Sequence, residues 1–162
     1  MDLSQYNWLI QRMTTMRRFI WTPLLLALVA LPASADTAED LDKWFRDGYA
    51  ALYVENSWDH ADEFAQYFAD VITVRSSNGV TKSNVNGFVV DSLEVWRSEG
   101  WVGTDVADLE TQLLNDRTAV FDVKWRDRND DGSTGYECGW YFADKIDGKW
   151  LLSQYISMSC PD

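Results

Sequence analysis

Residues 118–126 read Thr118-Ala-Val-Phe-Asp-Val-Lys-Trp-Arg126 and carry the clearest strand pattern in the chain. Apolar side chains recur at every second position, which is the period of a strand with one face on a core. The opposite face carries charged residues together with Val120. The apolar face consists of Ala119, Phe121, Val123 and Trp125. This alternation predicts a half-buried strand in a sheet.

A β-hairpin is predicted close to the end of the chain. Two largely apolar runs, Cys138–Ala143 and Lys149–Ile156, flank the dipeptide Asp147-Gly148. Both residues of this dipeptide accept the positive φ angles that a tight two-residue turn requires. The turn therefore joins two antiparallel strands that follow the strand at 118–126.

The preceding residues carry three helix patterns and two shorter strand patterns. Apolar residues recur at helical spacing over 36–55, 59–68 and 83–98, and Gly100 is suited to end the third helix. Strands are predicted at 71–74 and 107–113, and a turn at 76–79. Helices gathered early and a strand meander late indicate an α+β domain with helices on one face of an antiparallel sheet.

The N-terminus has the pattern of a secretory signal peptide. Arg17-Arg18 precedes an apolar run over 19–31, and Ala33-Ser-Ala35 supplies a small-residue cleavage motif. A membrane anchor is the alternative, but a bilayer span needs about 20 apolar residues and this run is shorter. We therefore predict cleavage after Ala35, a mature single domain at 36–162, and a secreted or periplasmic location.

The acidity of the chain excludes some classes of partner. The formal net charge is −12, and removing residues 1–35 takes away three arginines and one aspartate, which leaves 11 basic and 25 acidic side chains and a net charge of −14. Nucleic-acid binding needs clustered Lys and Arg to replace counterions, so nucleic acid is a poor partner. An anionic membrane surface is disfavoured for the same reason. The acidic surface is suited to keeping an exported protein soluble.

The two cysteines, Cys138 and Cys160, both lie after the predicted cleavage site. A disulfide is plausible in an oxidising compartment, and two unpaired thiols are the alternative. The hairpin register decides whether they share a face. We call the register even when the numbers of two paired residues sum to an even value, which places Cys138 and Cys160 on the same face, and odd when the sum is odd, which places them on opposite faces. An even register places Cys138 with Trp140 and Phe142 on the apolar side of the sheet, whereas an odd one would place Glu137 and Gly139 there, so we favour the even register. The bridge would then stabilise the fold by about 3 kcal/mol.

Several short motifs resemble the nuclear transport factor 2-like superfamily. They are Phe64-Ala-Gln-Tyr-Phe-Ala-Asp70 followed by the strand at 71–74, the turn at Gly79, Asp131-Gly132, and Asp147-Gly-Lys-Trp150. Within it, the SnoaL-like and ketosteroid-isomerase-like branch is the most similar. The resemblance implies a cystatin-like cone, in which a curved antiparallel sheet wraps round the long first helix and encloses an apolar pocket. Some members of the superfamily are isomerases, dehydratases or cyclases, and many are binding or assembly modules, so the fold leaves the activity open.

Strand parity and helix spacing together predict which side chains face such a pocket. The predicted set is aromatic, with Thr111 and Gln154 as its polar strand residues, and it suits a small apolar or amphipathic molecule. Any single tryptophan could instead fill the core. The predicted ligand-binding residues are Trp44, Tyr49, Trp96, Thr111, Trp125, Trp140 and Gln154.

Acid/base chemistry is the alternative function, and its candidate residues are few. The strand acids Asp108, Glu110, Asp122 and Glu137 are all assigned to the face away from the pocket. His60, the only histidine, and the helix acid Asp91 are therefore the catalytic candidates. Because His60 lies between Asp59 and Asp62, a surface role is favoured for it.

The run Asp127-Arg-Asn-Asp-Asp-Gly132 satisfies the first half of an EF-hand calcium loop. The second half fails, because its twelfth position is Cys138 and the nearest acid, Glu137, comes one place early. An acidic hairpin turn explains the same residues, and we favour that turn. Calcium binding at extracellular concentration is the alternative, and no metal site or cofactor is assigned.

Two functions of different class follow from the sequence. The first is an exported module that binds a small molecule in the cone; the second is an isomerase- or dehydratase-type enzyme acting on a small hydrophobic substrate. A homodimer through the outer sheet face, with Val120 and Tyr141 in the interface, is compatible with either.

Overall fold

The computed structural model describes residues 36–161. The first helix, α1 (Ala38–Lys43), continues through a π-helical turn at Trp44–Tyr49 and a 3₁₀ turn at Ala50–Leu52. A 3₁₀ helix follows at Ser57–Tyr67, and a π-helical turn at Asn86–Val90 leads into α2 (Asp91–Ser98). The three helices predicted from the sequence are therefore confirmed in position. The signal-peptide prediction falls on residues 1–35 and lies outside the described residues.

The first helix begins at a capping box. The Asp40 N–H donates to Thr37 Oγ1 over 3.1 Å, and the Thr37 N–H donates to Asp40 Oδ2 over 2.9 Å. These bonds satisfy backbone donors that have no partner within the helix. The helix then buries Leu41, Phe45 and Tyr49 almost completely against the sheet. The helix thus forms the centre of the core, as the resemblance implied.

Six strands form one open sheet in the order β2-β1-β6-β5-β4-β3. All neighbouring pairs are antiparallel except β1 with β6, which are parallel. The short second strand occupies residues that include part of the turn predicted at 76–79. The strands are β1 (Phe68–Ser76), β2 (Gly79–Ser83), β3 (Trp101–Asn115), β4 (Thr118–Asn129), β5 (Thr134–Ile146) and β6 (Lys149–Met158).

The hairpin turn predicted at Asp147-Gly148 is confirmed, whereas the acidic turn predicted at 127–132 begins only after Asn129, where β4 ends. Asp147 and Gly148 have φ angles of 50° and 80°, as a two-residue hairpin turn between β5 and β6 requires. Residues 130–133 form the acidic hairpin turn between β4 and β5, where the Ser133 N–H donates to Asp131 Oδ1 over 2.8 Å. The two turns join β4, β5 and β6 into a continuous antiparallel meander.

The face of β5 is opposite to the one predicted. Phe121 pairs with Tyr141 and Ala119 pairs with Ala143, and paired residues in antiparallel strands share a face. Tyr141 is 5% exposed on the inner face, whereas Trp140 is 38% exposed on the outer face. The prediction that Trp140 faces inward is wrong, because β5 is apolar on both faces and its own pattern does not decide between them.

Glycine explains why this face of β5 packs inward. A Cβ atom at Gly139 would lie 2.5 Å from Tyr155 Cε2 and 2.9 Å from the Ile156 carbonyl oxygen. The missing side chain makes room for the Tyr155 ring on the inner face. Glu137, two residues earlier, must then face inward as well, opposite Trp125. The assignment of Glu137 to the outer face is therefore wrong.

The hairpin register is even where the cysteines lie, as predicted, and shifts near the turn. Trp140 pairs with Ile156 and Phe142 with Gln154, and the register then shifts so that Ala143 pairs with Leu152. The shift turns Leu152 to the inside and leaves Gln154 on the outer face with Phe142. A bulge of this kind adds one residue to one strand, and strand alternation alone does not reveal it.

Cys138 and Cys160 form a disulfide, with their Cα atoms 5.1 Å apart. The bridge joins β5 to the residues after β6 and closes a separation of 22 residues. The predicted pairing is thereby confirmed. Within residues 36–161, the helices are too short or too polar to cross a membrane.

Candidate functional site: an aromatic cleft with two carboxylates

The inner face of β5 borders three adjoining cavities that all contact Trp96 and Glu137. The largest has a volume of about 420 Å³, which lies within the range of small-molecule sites. A second of about 220 Å³ and a narrow one of about 30 Å³ adjoin it. We call these three cavities together the cleft. Its aromatic walls are formed by Tyr53, Phe88, Trp96, Trp101, Trp125, Tyr141 and Tyr155.

Several elements converge to build these walls. Tyr53 follows the 3₁₀ turn that ends the first helix, and Trp96 lies on α2. The strands β5 and β6 supply Tyr141 and Tyr155, whose ring centroids are 4.7 Å apart. Because β5 and β6 are neighbours, this pair forms a continuous aromatic floor.

A hydrogen-bonded pair of tyrosines lies at the base of the cleft. The Tyr49 and Tyr53 hydroxyl oxygens are 2.6 Å apart in the core. Burial raises the pKa of Tyr49, Tyr53 and Tyr141 well above the ordinary range, and burial also raises the pKa of Tyr155. All four phenols therefore stay neutral at physiological pH. Of these, Tyr53, Tyr141 and Tyr155 line the largest cavity, where a neutral phenol can donate a hydrogen bond to a polar group of a ligand.

Asp127 is held at the end of a short hydrogen-bond chain. Trp101 Nε1 donates to Thr104 Oγ1 over 2.8 Å, and that hydroxyl in turn donates to Asp127 Oδ1. The Thr104 N–H also donates to the carbonyl oxygen of Tyr53 over 3.0 Å, which fixes the strand against the first helix. Burial raises the pKa of Asp127, although the hydrogen bond from Thr104 opposes this shift.

Glu137 differs from Asp127 because it has no protein partner. Among residues 36–161, no side chain or backbone N–H donates to its carboxylate, and no basic group lies within 4.0 Å of it. Glu137 is an exposed residue, yet the surrounding walls bury its carboxylate enough to raise its pKa, and Asp127 raises the pKa further. The cleft thus contains an unpaired carboxylate.

The amino-acid sequence matches a protein family described as NTF2-like protein (DUF6841), over residues 38–157. The chain belongs to this NTF2-like family. The resemblance to the nuclear transport factor 2-like superfamily is thereby confirmed. Among curated proteins, none matches the chain.

Solved structures share the fold of this NTF2-like chain at low sequence identity. An NTF2-like protein of unknown function from Shewanella oneidensis is 15% identical, with a TM-score of 0.56 over 75% of this chain and 98% of that one. A protein of unknown function with a cystatin-like fold from Nostoc punctiforme is 17% identical, with a TM-score of 0.57 over 77% and 94%. A putative calcium/calmodulin dependent protein kinase II association domain from Xanthomonas campestris is 21% identical, with a TM-score of 0.56 over 82% and 94%. At these identities the likeness establishes the fold alone.

In this NTF2-like chain, two of the predicted binding residues line the cleft and two others lie within the fold. Trp96 and Trp125 are wall residues. Tyr49 lies below the floor, fully buried. Trp44 packs between Tyr67 and Phe121, with ring centroids 5.5 Å and 5.8 Å away, and does not reach the cavities.

The remaining candidates lie elsewhere. Thr111 Oγ1 donates to Asp42 Oδ1 over 3.2 Å and ties β3 to the first helix. His60 is on the surface, where its Nδ1 lies 3.3 Å from Glu63 Oε1, and Asp91 is exposed at the first turn of α2. None of these side chains borders the cleft.

Trp140 belongs instead to a separate groove on the outer face of the sheet. This groove has a volume of about 240 Å³ and lies over β3, β4 and β5. Tyr141 cannot take part in a contact through this face, because it points inward. The residues that line the groove are Glu110, Gln112, Val120, Asp122, Trp140 and Phe142.

Sequence reasoning missed Tyr53, Tyr155, Asp127 and Glu137 as cleft residues. The alternation of β4 contained a signal for Asp127. The inward positions are Ala119, Phe121, Val123 and Trp125, and Asp127 is the next position on the same face. Residues 127–132 were predicted to form a turn, whereas β4 continues to Asn129 and so keeps Asp127 in the strand. The inward position of Glu137 follows from the pairing of β4 with β5, and the residue pattern of a single strand does not reveal that pairing.

Proposed function

We propose that this domain is an exported protein that binds a small amphipathic molecule in the cleft. The aromatic walls of the 420 Å³ cavity carry this proposal. Ligand sites in proteins are typically concave and mostly apolar, with a few polar groups that orient the ligand. The Cys138–Cys160 disulfide and the signal-like sequence at 1–35 support export, since such bridges persist in oxidising compartments.

The cleft offers two kinds of contact to a ligand. The rings of Trp96, Tyr141 and Tyr155 supply stacking and apolar area. Asp127 and Glu137 supply hydrogen-bond acceptors, and the neutral phenols supply donors. A ligand with an apolar body and one polar end would use both kinds of contact.

A binding assay with the neutral fluorescent probe N-phenyl-1-naphthylamine tests the proposal. We expect micromolar binding to the wild type and at least tenfold weaker binding to Trp96→Ala, because a wall of the cleft is lost. Trp140→Ala is the matched control and should bind as the wild type does, since its ring lies in the outer groove. Equal weakening by both variants, or by Trp140→Ala alone, would overturn the proposal.

The two carboxylates favour a second candidate, an acid/base enzyme of the isomerase or dehydratase kind. A carboxyl group with a raised pKa can both accept and return a proton near neutral pH. Glu137 is suited to this role, because no protein group occupies its oxygens, and the neutral phenols could stabilise a developing oxyanion. His60 and Asp91 are not among the residues that line the cleft.

Incubation with a metabolite extract of the host, followed by mass spectrometry, separates the two candidates. An enzyme should deplete one compound and produce another. The Glu137→Gln variant should abolish that conversion and should still bind N-phenyl-1-naphthylamine. A binding module should retain a compound without converting it. The absence of turnover across the extract would count against the enzyme.

A further inference from the structure

The charges that border the cleft are strongly unbalanced. Glu99, Asp127 and Glu137 line its cavities, and Lys82 is the one basic residue among the described lining residues. Lys82 lies on the exposed edge strand β2, at the side of the largest cavity. The interior end of the cleft, next to Trp96, is therefore negative.

A few other acids of residues 36–161 have basic partners, although most do not. Asp105 is paired with both Arg126 and Arg128, at 3.1 Å and 3.2 Å. Asp36 is paired with Lys145. Both pairs are partly exposed, with 43% of the Asp105 side chain and 36% of the Asp36 side chain accessible, but they occupy oxygens that a ligand could otherwise contact. Glu137 has no such partner among residues 36–161; burial raises the pKa of its carboxyl, and the nearby Asp127 raises it further.

Aromatic rings surround the same carboxylates. The Trp96 and Trp101 ring centroids are 5.9 Å apart with their planes at 48°, and Tyr53 lies 6.3 Å from Trp96. These rings form an angled wall beside Asp127 and Glu137. Ring faces attract ammonium groups, and quaternary ammonium ligands are held in proteins by aromatic walls of this kind.

A cavity with aromatic walls and an unpaired carboxylate has the chemistry of an organic-cation site. We propose that the ligand is an amine or quaternary ammonium compound with an apolar body. Its cationic group lies between Glu137 and Trp96, and its apolar body extends along Phe88 and Tyr155 in the largest cavity. This inference rests on the proposed ligand-binding function and specifies the class of ligand.

The charge pattern also determines which molecules the cleft rejects. A carboxylate or phosphate ester would place its charge beside two protein carboxylates, and like charges at close range are repelled. A neutral molecule of the same shape would gain the ring contacts but no ion pair. The order of affinity should therefore be cation, then neutral molecule, then anion.

Three compounds with one apolar body test this order. The probes are 4-phenylbutylamine, 4-phenylbutanol and 4-phenylbutyrate, titrated into the oxidised protein by calorimetry at pH 7.5 and 50 mM salt. We expect the amine to bind at least tenfold more tightly than the alcohol, and the acid to bind more weakly still. We expect raising the salt to 300 mM to narrow the gap, because the preference is electrostatic.

Two variants locate the preference in the cleft. Glu137→Gln keeps the shape of the side chain and should reduce the preference for the amine over the alcohol to about threefold or less. Asp122→Asn, on the exposed face of β4 opposite Trp140, is the matched control and should leave the preference unchanged.

The outcomes also separate this inference from the proposed function. If the alcohol binds as tightly as the amine, or if Asp122→Asn removes the preference and Glu137→Gln does not, the organic-cation site is refuted while the binding function stands. If none of the three compounds binds and N-phenyl-1-naphthylamine does, the organic-cation site is also refuted. If neither the compounds nor that neutral probe binds, both proposals fail.

Discussion

Truncating the neighbours Tyr141 and Trp140 tests which face of β5 packs against the core. The Tyr141 ring is enclosed by four others, with centroids 4.7–6.1 Å away. Truncating a buried aromatic ring to alanine removes its transfer free energy and leaves a hole, which together cost about 3–5 kcal/mol. We expect about 3 kcal/mol for Tyr141→Ala, because the ring also borders the cleft and water can enter part of the hole.

Trp140→Ala should lower the free energy of unfolding by less than Tyr141→Ala does, although tryptophan is the larger side chain. The ring is 38% exposed, and water can fill the space that it leaves on the outer face. We expect about 1–2 kcal/mol from the lost apolar burial. With an unfolding entropy of about 2.1 cal/mol/K per residue over about 125 residues, the losses in Tm are about 11 °C for Tyr141→Ala and about 4–8 °C for Trp140→Ala.

Thermal unfolding followed by circular dichroism measures both losses. The melts are run at two protein concentrations, because a homodimer through the outer face would make the Tm of the wild type depend on concentration. If Trp140→Ala lowers the Tm as much as Tyr141→Ala at the lower concentration, the assignment of β5 faces is refuted.

The remaining predictions concern the disulfide, the charge of Glu137, the N-terminus and the oligomer. Replacing Cys138 and Cys160 with alanine should cost about 3 kcal/mol, and reductant should lower the Tm of the wild type but not of the variant; equal melts of oxidised wild type and variant would contradict this. Because burial raises the pKa of Glu137 above its value in the unfolded chain, the folded state binds the proton more readily, and stability falls as pH rises from about 4.5 through the raised pKa. Glu137→Gln should therefore be more stable than the wild type at pH 7, by less than about 1 kcal/mol because solvent screens the site, and equal to it below about pH 4; a variant less stable at pH 7 would refute the cause assigned to the shift. N-terminal sequencing of the protein secreted by its host should begin at Asp36, and an intact N-terminus would refute the signal peptide. Sedimentation velocity should give a dimer that Trp140→Glu converts to a monomer, and a monomeric wild type would refute the outer-face homodimer.

The sequence predicted those parts of the fold in which one face is polar. The charged outer face of β4 left only one way to bury Phe121 and Val123, and the structure buries both. The first helix was equally clear, because its apolar residues lie on one side. The hairpin at Asp147-Gly148 followed from backbone stereochemistry, which depends on two residues alone.

The site was harder to predict because it depends on pairing between strands. β5 has apolar side chains on both faces, so Trp140 and Tyr141 could not be distinguished within the strand. The polar residue Glu137 biased the choice, since a carboxylate is expected to face water. Its inward position follows from the pairing of β4 with β5 and from the contact of Tyr155 with Gly139, both of which are tertiary. Functional sites are where such local rules are expected to fail.

A crystal structure of the protein soaked with 4-phenylbutylamine tests most directly whether a ligand occupies the inner face of β5. We predict density for the amine in the cleft, with its nitrogen beside Glu137 and its phenyl ring extending along Phe88 and Tyr155. Density confined to the outer groove at Trp140, or a cleft that holds only water at a saturating concentration of the amine, would contradict an organic-cation site in this fold.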